Sequence, residues 1–145
     1  MTGVQTCALP ISAHPEAAAR ELERSVKDLG MKGAMIHGLT NGVFHDDRKF
    51  WCIYEVAEKL DVPIYFHPAW PVAAVEKAYY EPYGKDFPQV VRAAWGYTVE
   101  TATQAIRLIL SRLFEKHGNL KVILDRKSTR LNSSHIPLSR MPSSA

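Results

Sequence analysis

The chain has 145 residues, 18 Lys+Arg against 15 Asp+Glu, a formal net charge of +3 and a sequence pI near 8.9. Hydrophobic residues make up 46% and charged residues 23%, which excludes wholesale disorder and fits one ordinary domain. No apolar run approaches the roughly 18 residues that cross a bilayer, no basic n-region precedes an apolar stretch, and two cysteines, Cys7 and Cys52, are too few for a disulfide framework, so a reduced, cytoplasmic chain without membrane contact is expected.

In chain order, the first segment is atypical. Met1–Ile11, MTGVQTCALPI, resembles translated sequencing-adapter DNA. So do Asp125–His135, DRKSTRLNSSH, and Ser139–Ala145, SRMPSSA. The fold is therefore expected over residues 13–124, with 1–12 and 125–145 as non-native flanks and the second of these disordered. Residues 13–124 hold 14 basic and 14 acidic side chains. The whole net charge lies in the last flank, and the nucleic-acid hint carried by a high pI goes with it.

Pro15 followed by EAAARELERSVKDLG predicts a helix, with Pro in the first turn and Gly30 as the stop. Ala17, Leu22, Val26 and Leu29 approximate its apolar face. Residues 33–38, GAMIHG, form a short apolar run between glycines, the pattern of a buried strand. A polar loop, LTNGVFHDD, leads to a second helix, RKFWCIYEVAEKL, which Asp46 or Asp47 is placed to cap. Residues 62–68, VPIYFHP, predict a second buried strand. A long loop is expected from about Ala69 to Pro88, rich in aromatics (Trp70, Tyr79, Tyr80, Tyr83) and so of functional interest. A third helix is expected from near Val90 to Leu110, then a further helical turn or two in SRLFEKHG, then a third strand at LKVIL. This alternation points to parallel βαβ units, in a doubly wound sheet or a (β/α)8 barrel. No glycine-rich phosphate loop follows a strand, which removes the motif that would support the first option. Three strands make less than half of the second.

His67 ends a buried strand, where α/β enzymes place catalytic groups. Imidazole there ligates a divalent metal or acts as a base; the plain alternative is a core histidine bonded to a backbone carbonyl. His37 holds the equivalent place on the preceding strand. Trp95 and Tyr97 begin the third helix and are candidates to line a pocket for an aromatic substrate, with core packing as the alternative. His45 and His117 read as surface loop residues, and His14 as solvated. Glu100, inside a helix, reads as solvated or paired with a cation. Cys52 reads as a small buried hydrophobe. There is no Ser-His-Asp elbow and no Cys/His zinc spacing.

The segments DLGMKGAMIHG, DDRKFWCIYEVAEKLDVPIYFHP, WGYTVETATQAIRLILS and LFEKHGNLKVIL resemble, in order and spacing, the amidohydrolase-related metal-dependent decarboxylases, in particular those acting on gamma-resorcylate (2,6-dihydroxybenzoate) and 2,3-dihydroxybenzoate. The resemblance covers almost all of residues 13–124. It implies an α/β fold, a fragment of a (β/α)8 TIM barrel comprising about strands 4 to 6 with their helices. It implies one divalent metal, zinc or manganese, and non-oxidative loss of CO2 from a small aromatic carboxylic acid. It also implies a homo-oligomeric parent enzyme. Of the family's ligands only the histidine of the FHP motif is present, as His67. The catalytic histidine of the family's Gly-His-x-Gly-Glu motif is absent, because Asp125-Arg126 follow Leu124. The acidic-x-His motif of the first strand and the aspartate of the last are absent too. The chain by itself is therefore expected to be inactive. Two rival readings are a metal-dependent hydrolase of the same superfamily and a non-enzymatic soluble module.

Overall fold

The computed structural model describes residues 7–8 and 13–125. Helix α1, Pro15–Lys27, opens with Pro at its first position and carries Glu16 in the first turn and Arg24 and Lys27 in the last, which complements the helix dipole. Its buried face is Ala18, Ala19, Leu22 and Ser25. Leu29, expected on that face, lies beyond the helix and is exposed. Strand β2, Ala34–His37, follows; β1 is the two-residue strand Cys7–Ala8. Helix α2, Trp51–Lys59, is preceded by a 3-10 turn, Arg48–Phe50. Asp47 caps that turn by accepting from the Lys49 backbone N–H at 3.0 Å, as its sequence position predicts. Strand β3 is Ile64–His67 and β4 is Val122–Leu124.

The four strands are all parallel and lie in the order β1-β2-β3-β4. Sequential order without reversal is the order of a barrel wall; a doubly wound sheet reverses at a switch point. Side chains alternate across the sheet. Ala34, Ile36, Ile64, Phe66 and Val122 enter one core with Leu22 of α1 and Ile53, Tyr54 and Ala57 of α2. His37, Tyr65, His67 and Ile123 therefore share the opposite face, which in a closed barrel is the inner one.

Two expectations are corrected between β3 and β4. The stretch after Pro68 is not an irregular loop to Pro88. It contains helix α3 (Ala73–Val75), a wide π turn (Glu76–Tyr80) and helix α4 (Glu81–Gly84). Tyr80 packs inward while Tyr79, Tyr83 and Phe87 stay exposed, and this uneven burial hides the helical period from sequence. The third helix, α5, spans Gly96–Leu110 and not the region from Val90; Pro88–Val90 is a separate 3-10 turn. The chain turns sharply at Gly96, where a β-carbon would overlap the Val91 carbonyl. Helix α6, Leu113–Lys116, precedes β4.

Pairing of Cys7–Ala8 with Ala34–Met35 lies inside the segment set aside on sequence grounds. The contact is made by backbone groups along the free edge of β2, and edge pairing of this kind depends weakly on side-chain identity. The rest of the two flanks lies outside the described residues, apart from Asp125.

Candidate functional site

The site is built on the carboxyl ends of β2 and β3. His37 and His67 are register partners across these strands. Their ring centroids are 4.5 Å apart and the rings are tilted by 39°. The chain leaves β2 at Gly38, whose N–H points to the His67 carbonyl at 3.4 Å. Gly38 has φ +50°, and a β-carbon there would overlap that of Ala69. Only glycine allows the two strand ends to approach this closely.

His67 Nδ1 lies 2.8 Å from the Pro68 carbonyl oxygen. A carbonyl only accepts, so Nδ1 carries the proton and the Nε2 lone pair is left for another partner. This is how a backbone carbonyl presets a metal-ligating imidazole. The carbonyl bond belongs equally to a satisfied core histidine, but His67 is only half-buried and lies at the strand mouth. His37 has its pKa lowered, first by burial and then by the facing His67. Tyr65, two residues before His67 on the same face of the sheet, is hydrogen-bonded to Asp125, and burial together with that carboxylate raises its pKa. Asp125 N–H donates to Phe66 O at 3.0 Å, extending the β3–β4 ladder.

Helix α5 closes the site from one side. A small cavity beside His67 is lined by Gly38, Phe44, Phe66, Glu100, Thr101 and Gln104, among others. Glu100 is only 9% exposed, which corrects the solvated reading; burial raises its pKa. Trp95 stands at the N-cap position of α5 without a capping side-chain hydrogen bond and is exposed, and Tyr97 is half-buried. Neither lines the cavity beside His67.

His45 and His117 are not surface residues. His45 is fully buried, with Nε2 3.0 Å from Thr40 Oγ1, and its backbone carbonyl accepts from the Tyr54 hydroxyl at 2.9 Å. Burial drives its pKa down to about 4, with Lys49 also lowering it and Asp46 opposing. His117 is 4% exposed and its Nδ1 lies 2.8 Å from Glu58 Oε2. Each is buried by partners remote in sequence, Gln104 for His45 and Glu58 for His117, so local patterning carries no sign of it. Cys52 is half-buried rather than buried, with Sγ 3.6 Å from Lys49 O.

Among the described residues no group of three or more His, Cys, Asp or Glu side chains is arranged to hold a metal. His67 fits such an ion as one nitrogen donor, not as a site.

Residues 2–125 match the model of a family described as Amidohydrolase. The gamma-resorcylate decarboxylase of Polaromonas sp. is 37% identical over 123 residues, covering 81% of this chain and 36% of that protein. The decarboxylase of the same name from a Rhizobium sp. is 35% identical with the same coverage. Among solved structures, 2,6-dihydroxybenzoate decarboxylase from Rhizobium superposes with a TM-score of 0.69 at 35% identity, over 81% of this chain and 36% of that one. A dihydroxybenzoic acid decarboxylase from Polaromonas sp., with bound manganese and the inhibitor 2-nitroresorcinol, gives a TM-score of 0.71 at 37% identity, over 78% of this chain and 34% of that one. The chain thus spans about a third of the length of the curated relatives it matches. Its unreversed parallel sheet is a section of the barrel expected from the resemblance.

Proposed function

Because the chain belongs to the amidohydrolase family, we propose that it carries part of the active site of a metal-dependent decarboxylase acting on a hydroxybenzoate-type acid. The observation that carries this reading is His67. Its ring sits at a strand end with Nδ1 tied to the Pro68 carbonyl and Nε2 left over, in a chain whose relatives are named gamma-resorcylate decarboxylases.

In the whole enzyme His67 would hold a divalent ion, manganese or zinc, through Nε2. Bound there, the ion supplies Lewis acidity toward the acid's carboxylate and phenolate oxygens. In the overall reaction the ring carbon gains a proton and loses CO2. His37, beside His67, is the proposed polar contact of the substrate. Trp95, just before α5, and Tyr97, in its first turn, are proposed to face its ring from the barrel mouth. His67 is the one metal donor proposed among the described residues, and the 145-residue chain alone is proposed to be inactive. The parent enzyme is proposed to be a cytoplasmic homo-oligomer; no helix among the described residues is long and apolar enough to cross a membrane.

Exchange of residues 13–124 for the corresponding segment of the Polaromonas decarboxylase tests the reading. The expected result is manganese-dependent CO2 release from 2,6-dihydroxybenzoate that His67→Ala abolishes. A folded, manganese-loaded chimera that releases no CO2 from 2,6- or 2,3-dihydroxybenzoate, or that instead hydrolyses a lactone or amide, overturns it.

A further inference from the structure

Three polar side chains converge where α5 meets the strand end of His67. Glu100 and Gln104 are four residues apart, so they stand one above the other on one helix face. Thr101 is beside them. All three line the cavity that also touches Gly38, Phe66 and His67. The Gln104 side chain is 96% buried by its 4% exposure. Its Oε1 faces the His45 backbone N–H at 3.5 Å, which orients the amide and leaves Nε2 as a buried donor with no partner among the described residues. The Thr101 hydroxyl donates to the Tyr97 carbonyl at 2.8 Å, so its oxygen lone pairs are free to accept. The Glu100 carboxylate is a buried acceptor.

A donor left unpaired in a protein interior forfeits its hydration without return, and such groups are ordinarily satisfied by protein or by internal water. The cavity measures about 10 Å³, the size of a single water. Besides His67, three polar side chains line it, which matches the usual count of partners for a buried water. The donor and acceptor pattern is also complementary: a water there would accept from Gln104 Nε2 and donate its two protons to Glu100 and Thr101.

We propose that the junction of Glu100, Thr101 and Gln104 beside His67 is a binding site for one internal water, which joins α5 to the strand end carrying that histidine. The site rests on the geometry of this chain and not on the decarboxylase reading. The two fail separately: loss of CO2 release says nothing about the water, and absence of the water leaves His67 where it is.

The test is oxygen-17 and deuteron relaxation dispersion on the 145-residue chain, which counts waters held longer than nanoseconds, together with a high-resolution crystal structure. The expected result is one long-lived water that disappears in Gln104→Met, and a solvent peak within hydrogen-bond distance of Gln104 Nε2 and Glu100. Glu100→Gln keeps an acceptor at that position and is expected to retain the water, which guards against a variant that merely loosens the fold. A wild-type cavity without solvent, or an unchanged water count in a folded Gln104→Met chain, overturns the proposal.

Discussion

His37 and His67 stand opposite each other on adjacent parallel strands, with ring centroids 4.5 Å apart. Two imidazoles at that distance resist being charged together, and the lowered pKa of His37 reflects burial first and this neighbour second. The pair therefore presents two ring nitrogens side by side at the strand mouth. It is still only a fraction of a metal site.

One imidazole, with His37 tilted beside it, is a weak chelator. Titration calorimetry of the 145-residue chain with manganese at micromolar concentration is expected to give the same weak response for wild type and His67→Ala. A tenfold difference in affinity would show that the described residues hold more donors than the geometry indicates.

Gly38→Ala places a β-carbon against Ala69 at a positive φ. Overlap and backbone strain together are expected to cost about 2–4 kcal/mol. Gly42→Ala is the matched control, because Gly42 has φ +75° with open space around it; strain alone costs about 1–2 kcal/mol. Urea denaturation of the two variants checks the difference, and equal losses would mean that the Gly38–Ala69 approach is not tight.

His45 has its pKa depressed to about 4 in the fold, against 6.5 ordinarily. The unfolded chain therefore binds its proton first as pH falls. Stability from keeping this histidine neutral is complete above pH 6.5 and is lost progressively down to about pH 4. A shift of this size is worth about 3 kcal/mol. The denaturation midpoint of wild type is expected to fall across that window, and His45→Gln is expected to flatten the fall while lowering stability at neutral pH. A wild-type midpoint that is level from pH 6.5 to 4 contradicts the buried placement.

Two cross-chain carboxylates differ in what they leave behind. Glu58 accepts from the Asn119 backbone N–H at 2.9 Å and pairs with the buried His117. Glu58→Ala strands the buried His117 Nδ1, while the exposed Asn119 N–H turns to water, and is expected to cost about 1–3 kcal/mol. Asp46 is bidentate to Arg107, which is 47% exposed. Asp46→Ala is expected to cost under about 1 kcal/mol. Thermal melts of the two variants rank them, and a reversed order would place the buried contact at Asp46.

Much of the framework was legible in the residues. The helix of Pro15–Lys27, the strands ending in His37 and His67, and the cap by Asp47 follow from turn chemistry and apolar period, which act over a few residues. The resemblance carried by the four quoted segments led to the family. The stretch from 69 to 95 was not legible: its aromatics are divided unevenly between core and solvent, so no period shows. The burial of Glu100 is not legible either, because a glutamate inside a helix looks the same in sequence whether its face meets water or a strand end.

The sequence alone determined the order of elements and the place of His67, since both depend on neighbours along the chain. The tertiary structure alone decided which polar groups are buried together. His45 meets Gln104 across 59 residues, as His117 meets Glu58, and Glu100 joins the His67 cavity only because α5 folds back over the carboxyl end of β3. Burial and partnership at such separations are properties of packing, and packing is not written in any local window.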